Sequence, residues 1–272
     1  MTHEEPSAVK ETSSREPKAP SADDRRRWGD ALAADGFFEE AIRHYKEAAK
    51  LERDNPDAQT YLGDAYVLTD DPSRALKAYR SALKSEPLHA ESYLGVGDVF
   101  KQHGRLRAAA GQYKRAVRCR PNNPYVRFKL ADIYRQMGRW EECVVQMEAA
   151  IALRPRLAFY HFWLGSLFCD IGQWDAALVS MKRAVECDPT DDYYHVRLGA
   201  LYVVLGRAED AVAELEHAIR LKPAKAIYHC ILGDAHRHLG NVAAAAREDQ
   251  LAGALDDYDE VVLAMTRSGY EA

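Results

Sequence analysis

Three histidines, His161, His195 and His229, stand 34 residues apart, and a histidine series is the first place to look for metal chemistry. Their spacing argues against it. Imidazoles sharing a Zn²⁺ each lie about 2.0–2.1 Å from the ion, whereas equivalent residues on successive helix pairs are roughly 8–10 Å apart. A packing role is expected for all three, and His236 with His238 meet on one ion only through a particular choice of rotamers. The five cysteines, Cys119, Cys143, Cys169, Cys187 and Cys230, form no CxxC pair and are odd in number, so neither a disulfide framework nor a zinc knuckle is expected. They read as reduced, mostly buried thiols. No GxSxG, HExxH, phosphate-binding loop or kinase signature occurs. The chain is expected to be no enzyme, with no catalytic residue, no cofactor and no bound metal.

The elements that must carry any other function follow from a 34-residue period, found by comparing the chain with itself. Starting at Ala22, seven units run without insertion: 22–55, 56–89, 90–123, 124–157, 158–191, 192–225 and 226–259. Position 27 is Ala48, Ala82, Ala116, Ala150, Ala184, Ala218 and Ala252, and position 20 is alanine in every unit but one, where it is Cys143. Position 8 is glycine or alanine throughout, while position 11 is large, as in Tyr66, Phe100 and Phe168. Positions 4, 7, 8 and 11 make one apolar helical face and positions 17, 20, 24 and 27 a second. Each unit is therefore a helix hairpin. Its turn carries Gly36, Asp70, Gly104, Gly138, Gly172, Gly206 or Gly240, where the first helix must end in a left-handed conformation. Pro87, Pro121, Pro155, Pro189 and Pro223 recur at position 32 and stop the second helix.

This pattern resembles the tetratricopeptide repeat family over residues 22–259. The resemblance implies an all-α, right-handed superhelical solenoid of antiparallel helix pairs, with first helices lining a concave groove. The ends depart from the pattern, as solenoid ends should. Residues 1–21 are expected to be a disordered tail. Asp249 and Asp257 replace a core residue and the proline in the last unit, Tyr258 to Arg267 is expected to form a capping helix over the open end, and residues 260–272 are set apart from the repeats as capping helix and tail.

The family's groove is formed mainly by positions 2, 5, 6, 9, 12 and 13. Position 2 runs Asp23, Asp57, Glu91, Tyr125, Phe159, Tyr193 and Ile227, turning from acidic to aromatic midway. Phe128 and Phe162 fall at position 5, Trp163 and Arg197 at position 6. An apolar floor over units four to seven is thus expected to face a partner, or else to pack on itself within a tight superhelix. Residues 90–157 carry a net +7 and residues 158–272 a net −8, within an overall −5. Lys101, Lys129 and Arg135 bring part of that basic band to groove positions, while Lys114, Arg115, Arg118 and Arg120 fall on second helices.

Some members of the family grip a chaperone's terminal carboxylate with lysine, asparagine and arginine at set groove positions, and no three consecutive units here match. The groove asparagine ladder of O-linked GlcNAc transferases is also missing. The expected function is a scaffold, adaptor or assembly factor that holds a segment of a protein or peptide partner bearing apolar and acidic groups. Head-to-tail self-association and a non-catalytic place in an enzyme complex are the alternatives. Nucleic-acid binding is disfavoured by the negative total charge and by the lack of any repeated polar pair that could read bases. No stretch approaches the roughly 18 apolar residues of a membrane span, and with no apolar leader the cytoplasm is the expected location.

Overall fold

The computed structural model describes residues 19–255 and divides into two compact units, 1–105 and 106–272. The first contains α1 (Ala22–Ala34), α2 (Phe38–Leu51), α3 (Pro56–Leu68), α4 (Pro72–Ser85) and α5 (Ala90–Gln102). The second contains α6 (Leu106–Cys119), α7 (Pro124–Gln136), α8 (Trp140–Leu153), α9 (Ala158–Asp170), α10 (Trp174–Cys187), α11 (Asp192–Val204), α12 (Ala208–Leu221), α13 (Ala226–His238) and α14 (Val242–Ala254). No strand occurs among the described residues. Most of the expected tail at residues 1–21, and all of the expected terminal helix within Tyr258–Arg267, lie outside the described residues. Ser21 is described and caps α1, accepting from the Asp24 backbone N–H while the Asp24 carboxylate accepts from the Ser21 N–H.

Helix boundaries follow local chemistry. Asn55 and Asn123 cap α3 and α7 through their side-chain oxygens, each just before a proline whose missing N–H costs nothing at a first helical position. The turns after odd-numbered helices all reach positive φ, at glycine in six cases and at Asp70 (φ 54°) in the seventh. Aspartate is among the few side chains that enter this region at modest cost.

Packing explains the small residues. In the first unit the Tyr79 ring lies so close to Gly63 that a Cβ there would stand 2.5 Å from Cε1, and the same ring packs against Gly95. Tyr79 is fully buried and donates to Asp64 at 2.6 Å, so it cannot move aside. Tyr45 and Asp30 repeat the arrangement at 2.8 Å. In the second unit Gly165 faces Met181 and Gly199 faces Leu215 in the same way. Position 8 is small because the side chain at position 24, sixteen residues on, fills its space. A buried cluster of the second unit joins Val196, Leu198, Tyr202, Leu215, Ile227 and Ile231 across α11, α12 and α13.

Candidate functional site

Position 4, where the histidines lie, is a polar connector as well as a packing slot. His161 Nε2 donates to the Pro155 carbonyl at 2.9 Å, and His195 and His229 donate in the same way to Pro189 and Pro223 at 3.0 and 3.4 Å. Tyr93 does so through its hydroxyl to Pro87 at 3.1 Å, and Arg127 through Nε to Pro121 at 2.9 Å. Each bond ties the first helix of a repeat to the proline turn six residues before it. The other ring nitrogens of His195 and His229 each lie 2.7 Å from a carboxylate oxygen, of Glu214 and Glu248 respectively. Among the described residues, no group of three or more His, Cys, Asp or Glu side chains could hold a metal ion.

The aromatic residues singled out by the sequence meet on α7, α9 and α11. Phe128 stands edge-on to Phe159 at 5.2 Å and to Trp163 at 5.4 Å. Phe162 meets Tyr193 and Tyr194, each at 5.3 Å. Edge-on and tilted ring contacts of this kind add modestly to the burial they accompany. The cations of the set lie over these rings. Arg135 is 5.2 Å from the Trp163 centroid and also pairs with Asp170, and Arg197 lies 5.5 Å from Phe162 and 5.8 Å from Tyr193. Lys129 reaches the Tyr113 and Tyr125 rings at 5.8 and 6.0 Å. Lys101 belongs to the first unit, whereas all of these belong to the second.

Exposure separates residues that the sequence grouped together. Trp163 is only 9% exposed and Arg197 only 6%, so neither faces solvent as a free anchor. The reason is local: Phe128 from one repeat and Arg135 from its helix end cover the Trp163 rings. Val196, at position 5, is fully buried. In contrast Tyr125 is 51% and Phe159 40% exposed, both at position 2 on the rim of the aromatic cluster. Phe128, Phe162 and Tyr193 are half-buried between the two groups. Position 6 is buried at Trp163, Arg197 and Ile231, while position 2 is exposed at Tyr125 and Phe159, half-buried at Tyr193 and buried at Ile227.

Family profiles described as "Tetratricopeptide repeat" match residues 69–124, 196–260 and 112–145, and one described as "TPR repeat" matches residues 29–70. The chain is a tetratricopeptide repeat protein. Solved structures of this fold agree with the assignment. A tetratricopeptide repeat protein from Parabacteroides merdae superposes with a TM-score of 0.59 at 15% identity, over 92% of this chain and 98% of its own. YrrB, described as a TPR protein with an unusual peptide-binding site, gives 0.54 at 20% identity over 68% and 95%. MamA from Desulfovibrio magneticus gives 0.53 at 23% identity over 63% and 97%. At these identities the likeness is one of fold. No curated protein matches the sequence. No helix among the described residues is long and apolar enough to cross a membrane.

Proposed function

We propose that this tetratricopeptide repeat protein is a non-catalytic interaction scaffold that holds a segment of a protein partner against the aromatic face of α7, α9 and α11. The observation that carries the reading is the exposure of Tyr125 and Phe159 on the rim of an otherwise packed ring cluster. Large apolar side chains held at a surface by rigid neighbours are what partner sites are made of, since the ordering cost has already been met by folding. Peptide binding by YrrB, a protein of the same fold, supports the class of function. Trp163, Phe162 and Arg197 stiffen the face from beneath, while Lys129 and Arg135, the latter paired with Asp170, lie over its rings.

Affinity capture with wild type and a Tyr125→Ala, Phe159→Ala double variant tests the reading. Both positions are rim positions, so helical circular dichroism should be unchanged while the bound partner is lost, with affinity lower by about 30-fold or more. Capture of the same proteins by both forms would overturn it. A second reading, head-to-tail association of copies, is favoured by the +7 of residues 90–157 against the −8 of residues 158–272. It requires oligomers at low salt that dissociate as salt rises, which sedimentation would detect.

A further inference from the structure

Where α7 begins and α8 ends, Asn122, Asn123, Tyr125, Arg154, Leu157 and Tyr160 line a shallow cleft of about 480 Å³. It lies at the turns between repeats. Three features of its wall point to one kind of occupant. Tyr160 is 5% exposed as a residue, but its hydroxyl is not among the buried unpartnered polar atoms, and with no hydrogen bond to the described residues it keeps access to solvent at the cleft. Such a hydroxyl can donate to a ligand without giving up a bond inside the protein. Beside it stands the guanidinium of Arg154, which pairs with no carboxylate among the described residues; burial raises the Tyr160 phenol above its ordinary value and Arg154 pulls it back. Arg154 is the only charged residue of the lining, which contains no acid. Asn123 uses its oxygen to accept from the Tyr125 and Val126 backbone N–H groups, which leaves its amide nitrogen as a donor. The cleft therefore offers donors from Arg154, Tyr160 and Asn123, with Leu157 and the Tyr125 ring as apolar walls.

We infer that this cleft takes the carboxylate of a peptide, at a chain end or on a side chain, together with an adjoining apolar group. Guanidinium and phenol donors meet the two oxygens of one carboxylate, and the bond is strengthened by both charges. The inference rests on the proposed partner-binding role, because Tyr160 packs on Phe128 and Phe159 and so joins the cleft to the exposed aromatic rim. A partner segment lying on that rim would place its acidic group here. The donors come from inter-repeat turns and from the start of α9, and of the cleft's walls only Tyr125, at position 2, is a groove position.

The test uses the full-length protein and two probes, N-acetyl-leucyl-phenylalanine as its free acid and as its amide, each titrated to about 10 mM and followed by NMR. The acid is expected to shift the Asn122 and Asn123 side-chain amides and the Arg154 Nε–H at about tenfold lower concentration than the amide does. Arg154→Gln should abolish that preference, and Tyr160→Phe, which keeps the ring, should reduce it several-fold. Equal responses to acid and amide, or no response to either, would overturn the inference. Phe159→Ala separates the two readings. If it weakens both probes alike while the acid preference persists, both readings stand; if it changes nothing and the preference persists, the cleft stands and the aromatic face falls.

Discussion

At the scale of single residues, burial sets the chemistry of the thiols. Cys143 is fully buried, and that burial pushes its thiol up to about 12, with only partial opposition from Arg135. At pH 7 about one molecule in 10⁵ would then carry the thiolate, the form that reacts. Cys143 is expected to remain unmodified by a disulfide exchange reagent in the native protein and to react as soon as denaturant is added; rapid native labelling at this position, read by mass spectrometry of peptides, would contradict the packing described. Asp192 shows the opposite balance. Burial works to raise its carboxyl, but Lys222 at 2.7 Å and the Tyr228 hydroxyl prevail and hold it below the ordinary carboxylate value. A depressed acid favours the folded state above its unfolded value near 3.9, and that contribution is lost as pH falls through the lower folded value. Asp192→Asn should therefore cost about 1–2 kcal/mol at pH 7 and progressively less as pH falls through the lowered folded value, so that the acid limb of a stability profile flattens. A constant difference across that range would show that the pair contributes no ionic stabilisation.

At the scale of elements, glycines inside helices divide into two kinds. Gly63 in α3 has the Tyr79 ring against it, whereas nothing lies within 4 Å of a Cβ added at Gly111 in α6. Gly63→Ala should destabilise by about 2–3 kcal/mol, because Tyr79 is fixed by Asp64 and by Gly95 behind it. Gly111→Ala should stabilise by about 0.5–1 kcal/mol through helix propensity alone. Urea unfolding of both variants would check the contrast, and equal signs would refute the packing account. The hairpins were legible in the sequence because a 34-residue period transmits backbone requirements directly: small where helices touch, left-handed where they turn. The site was less legible. That Phe128 covers Trp163, 35 residues further on, depends on which rotamers meet across two repeats, and position numbers carry no such information. Nor could spacing reveal the Tyr160 cleft, since its walls come from two turns and the start of a third helix. The position-4 connector did leave a trace, a long-reaching donor six residues after each recurrent proline, which a reading concentrated on apolar faces passes over.

At the scale of the whole molecule, stability should vary along the chain, because in a repeat array each element draws support mainly from its neighbours. The cluster across α11, α12 and α13 is built from residues no more than 5% exposed, while α14 buries only Ala245 and Ala252 among its described residues. Amide exchange is expected to be slowest in α11–α13 and at least about 100-fold faster in α14. Uniform protection across these four helices would mean that the second unit opens as a single body. The position-4 bond bears on the same array in another way. Tyrosine, arginine and histidine all serve there, so what each junction specifies is a reach and a hydrogen to give, met by a carbonyl that every proline turn presents. Such a joint works like a standard coupling between carriages, indifferent to which carriage follows. Repeats beginning at residues 90, 124, 158, 192 and 226 could therefore be reordered or duplicated by recombination without redesigning the seams, and the chain could lengthen or shorten while its binding face changes one repeat at a time.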